Sequence, residues 1–392
     1  MKYKLKYRPK ILCFLSHYFP GYQSGGPVRS ILNLIEHLNN DFEFFIVTSD
    51  RDVLDDKPYS SIKIDSWNKV GYSKVYYISK SKINLKEISK IIRSTDHDIL
   101  YFNSFFNFAF TAIPLIACHL LGASVAPCIL APRGEFSSAA LKNKFWKKKI
   151  YLFIIKFFNL YKNLYWQASN KQELSDIFHK KNIPLNKIYI APDLPSKFNK
   201  IKNIENKNKK KIGKLNLIFL SRINPMKNLD FLLKILTKSK KKINLSIYGP
   251  IDDRKYWIKC KKLIQVLPKN INTKYFGMLM PKYVLKKISL NHIFILPSRS
   301  ESFGHVIIES LIAGTPVIIS DMTPWKKDKK KAVTVISLKQ QNKWLMEIEK
   351  LVDCDNSHLY RRRLAAKKFA ENYLCNINAI NQNKKLFLRF IN

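Results

Sequence analysis

At about 100–200 residues per domain, a chain of 392 residues predicts two domains. Its 46% hydrophobic and 13% aromatic content supplies a large core and excludes wholesale disorder. Lys and Arg number 70 against 28 Asp and Glu, a formal net charge of +42. The accompanying wealth of Asn, Ile, Phe and Tyr points to AT-rich coding as the source of most of that excess. The remainder reads as attraction to polyanions, meaning anionic lipid or phosphorylated substrate. The six cysteines, Cys13, Cys118, Cys128, Cys260, Cys354 and Cys375, form no C-x-x-C pair and read as free thiols of a reducing compartment.

In chain order, the basic N-terminus is followed by an apolar run, Ile11–Leu15, that is too short for a signal-peptide core. Lys10–Ser16 reads as a buried strand. Pro27–Leu38 follows as a helix, with Val28, Ile31, Leu32, Ile35 and Leu38 at helical spacing. Phe42–Thr48, Ile99–Asn103 and Val125–Ala131 are further strands, the last two preceded by helical stretches. The longest apolar region, Phe105–Leu130, is broken by Asn107, Pro114, His119, Gly122 and Pro127. A membrane span needs about 20 uninterrupted apolar residues, so this region reads as a buried helix and a buried strand.

From Ser196 to Lys214 the pattern gives way to a lysine- and asparagine-rich segment that reads as an interdomain linker. Alternation restarts with strands at Leu215–Ser221, Ile243–Tyr248, Ile271–Phe276, His292–Leu296 and Pro316–Ser320. Helices are expected at Leu229–Leu236, Lys255–Val266 and His305–Ala313, and a basic helical tail from about Gln340 to Phe390. Strand–helix alternation of this kind means an α/β fold with two doubly wound, Rossmann-like domains. The expected organisation is one Rossmann-like domain at 1–195, a charged linker at 196–214 and a second Rossmann-like domain at 215–370. A C-terminal helix at 371–392 is expected to pack back on the first domain. In such sheets ligands bind beyond the carboxyl ends of the strands.

Four segments at strand ends carry candidate chemistry. In P-S-R-S-E-S-F-G-H-V-I-I-E, Gly304 opens a helix, and the backbone N–H groups after Ser302 and Phe303 offer a phosphate site at its N-terminus. Glu301 and Glu309 are eight residues apart; in one continuous helix they share a side and bracket a ligand with a charged middle. In S-R-I-N-P-M-K-N, Arg222 and Lys227 stand at a strand–helix turn where two cations would neutralise a diphosphate. In P-G-Y-Q-S-G-G-P-V-R, Gly25 and Gly26 let backbone approach a phosphate closely. In A-P-R-G-E-F-S-S-A-A-L-K, a strand end presents Arg133, Gly134 and Glu135, and the following helix sets five lysines among aromatic residues, as would either a helix lying on an anionic membrane or a buried helix with one solvated face.

Together and in this order, the segments resemble the retaining nucleotide-sugar glycosyltransferases of family 4, with the GT-B fold, over nearly the whole chain. E-S-F-G-H-V-I-I-E resembles that family's E-x7-E motif. The glycine loop and the P-R-G segment resemble its cell-surface polysaccharide and lipopolysaccharide branch. The resemblance implies a UDP- or GDP-sugar donor, a glycan or lipid-linked acceptor and retained stereochemistry, as in a hexosyl- or N-acetylhexosaminyl-transferase. It implies that Glu301 bonds sugar hydroxyls and Glu309 the ribose, that Arg222 and Lys227 stabilise the departing diphosphate, and that Gly25 and Gly26 supply backbone donors. Arg133 stands where many members carry His and Asn103 where His is common; a guanidinium cannot act as a base, so Arg133 acts electrostatically or positionally. A-P-D-L at Ala191–Leu194 is an unusual version of the family's interdomain turn, read here as opening a helix.

No cofactor and no metal are expected, no nucleic-acid partner, and a cytoplasmic location at the inner face of the membrane. The rivals are a basic polyanion-binding protein and another GT-B-like enzyme such as a nucleotide-sugar epimerase.

Overall fold

The computed structural model describes residues 7–391 apart from 54, 143–144, 158, 161–162, 182 and 198–208. It divides into two compact units, Met1–Lys197 with Ile377–Asn392, and Phe198–Asn376.

The first unit is built on strands β1 (Lys10–Phe14), β2 (Glu43–Ser49), β3 (Trp67–Val70), β4 (Ser73–Ile78), β5 (Ile99–Asn103), β6 (Cys128–Ala131), β7 (Leu164–Ala168) and β8 (Ile188–Ile190). Their order in the sheet is β3-β4-β2-β1-β5-β6-β7-β8, parallel except for the β3–β4 pair at one edge. Helices α1 (Gly26–Leu38), α2 (Leu85–Ser94), α3 (Ile113–Leu121), α4 (Ser138–Lys142), α5 (Phe145–Phe157) and α6 (Lys171–Lys181) make the crossovers. Alternate residues of the central strands enter opposite cores: Leu12, Phe14, Leu100 and Phe102 on one face, Ile11, Cys13, Ile99 and Tyr101 on the other. Both faces are covered, so these strands read as continuous apolar runs.

The second unit carries β9 (Lys214–Leu220), β10 (Lys242–Tyr248), β11 (Ile271–Tyr275), β12 (Ile293–Leu296), β13 (Val317–Ser320) and β14 (Val333–Ile336) in the order β11-β10-β9-β12-β13-β14, all parallel. Around it lie α7 (Leu229–Leu236), α8 (Arg254–Gln265), α9 (Pro281–Ser289), α10 (His305–Ile312), α11 (Gln341–Asp353) and α12 (Asn356–Leu374). This is the doubly wound order, whose direction reverses between β9 and β12.

The helical tail is three helices. After α12 the chain returns to the first unit, where α13 (Ile377–Leu388) buries Leu386 and Phe387; the Phe387 ring meets Phe42 at 5.5 Å and Tyr101 at 5.3 Å. One strand starts later than its composition suggests. Val125 is fully exposed and β6 begins only at Cys128, because Pro127 has no N–H to give a ladder and Ser124 Oγ takes the Ala126 N–H at 3.1 Å. Ala191–Leu194 opens no helix. It runs extended, its carbonyls receiving Gln167, Asn383 and Asn33 side chains.

Candidate functional site

In the second unit the two strands that flank the reversal send their loops to the same place. The loop after β9 carries Ser221 to Asn228, and the loop after β12 carries Pro297 to Gly304. Lys227 Nζ lies 2.6 Å from Glu301 Oε1, with the two side chains 16% and 8% exposed. Ser298 Oγ donates to the same Glu301 oxygen at 2.8 Å, and Ser320 Oγ holds the Ser298 carbonyl at 2.5 Å. Each partner is anchored from its own side. Lys227 N bonds Asn224 O at 3.1 Å, and Glu301 N bonds Met322 O at 3.1 Å.

Arg222 stands at the same strand end with its guanidinium 40% exposed; Nη1 lies 3.3 Å from Asp252 Oδ2, which also accepts from Asn224 Nδ2 at 2.7 Å. Close approach makes this corner possible. Gly249, at φ 136, sits where a Cβ would lie 1.8 Å from the Ser221 carbonyl oxygen, so no side chain fits between the ends of β9 and β10.

Gly304 caps α10 in the left-handed region at φ 80, and the helix starts at His305. Glu301 is therefore in the loop, not on the helix. The shared helical face expected of Glu301 and Glu309 does not exist; the loop turns Glu301 toward Lys227, and Glu309 is half-buried within α10. Phe303 is buried behind the loop, its ring 5.5 Å from Trp325, whose Nε1 donates to the Phe303 carbonyl at 2.5 Å. Ser302 is half-buried beside it.

In the first unit, Gly25 takes φ 70 as the N-cap of α1, and Gly26 is the first residue of that helix. A Cβ at either would meet nothing within 4 Å, so the backbone there is open on its outer side. The preceding loop is fastened by the buried Asp52, whose Oδ2 accepts the Tyr22 and Gln23 N–H groups at 2.7 and 3.0 Å.

Arg133 is buried at the end of β6 with left-handed backbone at φ 53. Its Nη1 pairs with Asp193, Nη2 reaches Tyr101 Oη at 2.7 Å, and Nε and Nη2 reach Asn103 Oδ1 at 3.2 and 3.0 Å. Burial opposes the guanidinium's charge, but Asp193, Tyr101 and Glu173 more than offset it and its pKa lies above the usual arginine value. The next two residues are held as firmly. Gly134 N donates to Glu173 Oε1 at 2.5 Å, and Glu135 accepts from Ser104 Oγ at 2.6 Å and Phe105 N at 2.5 Å. Burial raises the pKa of both carboxylates.

The basic helix α5 exposes Ile150 and Phe153, 63% and 71%, next to exposed Lys149. Lys148 instead turns to the Ala140 carbonyl at 2.5 Å and the Phe106 ring at 4.7 Å. The lysine and aromatic side chains of residues 142–147 and 156–158, which carry the rest of the basic–aromatic pattern, lie outside the described residues. Among the described residues no helix is long and apolar enough to cross a membrane.

Residues 200–369 match the family described as "Glycosyl transferases group 1". This part of the chain, less than half of its length, resembles the group 1 glycosyltransferases. The fold agrees: it is that of GT-B glycosyltransferases. At a TM-score of 0.71 and 13% identity, the chain is similar to sucrose-phosphate synthase from Thermosynechococcus elongatus, over 97% of this chain and 99% of that one. It is similar to Anabaena HepE in complex with UDP and glucose at a TM-score of 0.69 and 13% identity, over 97% and 100%. WaaG, a glycosyltransferase involved in lipopolysaccharide biosynthesis, matches at 0.66 and 14%, over 97% and 99%. Among curated sequences, an uncharacterized 41.2 kDa protein in the cps region of Klebsiella pneumoniae is 22% identical over 308 residues, 76% of this chain and 81% of that protein.

The structure thus brings Lys227 and Glu301 together and leaves Arg222 at the same strand end, within one unit. Sequence reading missed Ser298, Asp252 and Asp193. Ser298 shares the loop of Glu301, and Asp252 follows the strand end at Tyr248; a polar residue just past a buried strand was a usable signal for both.

Proposed function

We propose that the chain transfers a sugar from a nucleoside diphosphate donor, a UDP- or GDP-sugar, to a cell-envelope glycan or lipid-linked acceptor, with retention of configuration. The observation that carries this reading is the Lys227–Glu301 pair at 2.6 Å, formed at the reversal point of a doubly wound sheet, where such sheets take nucleotides. HepE, similar in fold, was solved with UDP and glucose, and the cps-region relative and WaaG support the polysaccharide branch.

In this reading Arg222 and Lys227 meet the charge that develops on the leaving diphosphate, in place of a metal ion. Glu301 accepts from the sugar's hydroxyls, Glu309 accepts from the ribose, and the N-terminus of α10 at Ser302, Phe303 and Gly304 receives phosphate. Gly25 and Gly26 offer backbone donors to a phosphate. The acceptor oxygen bonds the anomeric carbon on the face from which the phosphate oxygen departs, and that phosphate oxygen takes the acceptor's proton. Arg133, locked by Asp193, Asn103 and Tyr101, serves positionally by fixing the strand end that faces the acceptor. Exposed Ile150 and Phe153 beside Lys149 support peripheral attachment to an anionic membrane at its inner face.

The test is a screen of UDP- and GDP-sugars by thermal shift, followed by assay of slow donor hydrolysis. One donor class stabilises the chain and is hydrolysed; DNA binding without either activity overturns the reading.

A further inference from the structure

We propose that Asn228 is a positioning residue that holds Lys227 against Glu301 by bracing one strand-end loop on the other. The proposal rests on the reading of Lys227 as a ligand of the donor's diphosphate.

Asn228 is 2% exposed and stands at the N-cap of α7. An asparagine at that position ordinarily accepts a hydrogen bond from the first turn of its own helix. Here the side chain makes no such bond. It reaches across instead: Nδ2 donates to the Pro297 carbonyl at 3.0 Å, and Oδ1 accepts from Arg299 Nε at 3.1 Å. Arg299 N closes the brace by donating to the Met226 carbonyl at 2.8 Å. Three bonds thus join residues 226–228 to residues 297–299, next to the Lys227–Glu301 contact.

Two requirements fall on position 228. The backbone is left-handed, φ 61 and ψ 37, which favours Gly and tolerates Asn and Asp. The side chain must donate to one group and accept from another. Gly meets only the first requirement, and Asp offers no donor to Pro297 O. Asn meets both.

The experiment measures binding of UDP and GDP by calorimetry to the wild-type chain, K227A, N228G and K227A/N228G, with thermal midpoints recorded for each. N228G keeps the left-handed backbone and deletes only the two side-chain bonds of the brace, leaving Arg299 N on the Met226 carbonyl. The expected result is that N228G, folded, weakens nucleotide binding by about tenfold. In the K227A background the same change adds nothing, because Asn228 acts through Lys227. Should N228G not be recovered folded, N228D replaces it and is expected to weaken binding less, since it keeps the bond from Arg299. Wild-type affinity in a folded N228G overturns the proposal, as does a loss that persists undiminished in the K227A background. If K227A alone leaves nucleotide binding unchanged, Lys227 is not a diphosphate ligand and this proposal falls, whereas the functional reading falls only if the wild-type chain binds neither UDP nor GDP.

Discussion

The Arg133 guanidinium and the Asp193 carboxylate form an ion pair with side chains 7% and 3% exposed. It ties the end of β6 to the extended segment after β8, sixty residues on. Removing one partner of a buried pair strands the other charge, which costs about 3–5 kcal/mol. D193A should therefore lower the unfolding free energy of the full chain by that amount in denaturant titration. A loss below about 1 kcal/mol, the scale of an exposed pair, contradicts the locked geometry.

K227A should raise the barrier of sugar transfer by about 2–4 kcal/mol, the scale of losing one preorganised electrostatic donor. The measurement is turnover of the purified variant, with its fold checked by circular dichroism. Unchanged turnover removes Lys227 from the site.

The neutral His292 ring sets a pH dependence. Its Nδ1 accepts from Asn216 N at 3.0 Å, and burial, reinforced by Arg363, Lys210 and Lys214, pushes its pKa down to about 3. The unfolded chain binds this proton near pH 6.5, while the folded chain resists it down to about 3. Stability is thus lost on acidification through that window, by at most about 1.4 kcal/mol per pH unit for one proton. H292N, whose amide oxygen can still accept from Asn216, should flatten the slope of unfolding free energy between pH 6.5 and 4. An unaltered slope assigns the acid sensitivity elsewhere.

Much of the fold is legible in the sequence because buried parallel strands are continuous apolar runs: Ile99–Asn103 and helix Leu229–Leu236 lie where composition places them. The β3–β4 hairpin is not legible, since an edge strand with exposed Trp67 has no such run. At the site, Lys227 and Glu301 are each readable as polar residues at strand ends. Their contact is not, because 74 residues separate them and the left-handed turn at Gly304 takes Glu301 off the helix. Asp193 lies in A-P-D-L, which carries no sign that its partner is an arginine on another strand.

Attachment to membranes should be electrostatic first. Flotation should recover the chain with anionic liposomes and not with neutral ones, and the recovery should fall with salt, at about 1 kcal/mol per engaged Lys. I150D/F153D should weaken it by removing the exposed apolar pair of α5. Equal flotation with both lipids, or none with either, contradicts this.

The central claim is that the second unit takes a nucleoside diphosphate through its β9 and β12 loops and α10. Calorimetric titration of UDP and GDP into wild type, E301Q and E309Q tests it most directly. The account predicts saturable binding of one nucleotide to the wild type, clear weakening in E309Q through loss of a charge-assisted bond to the ribose, and no weakening in E301Q, whose partner sugar is absent and whose amide oxygen can still accept from Lys227. No saturable binding of either nucleotide, or equal loss in the two folded variants, would contradict it.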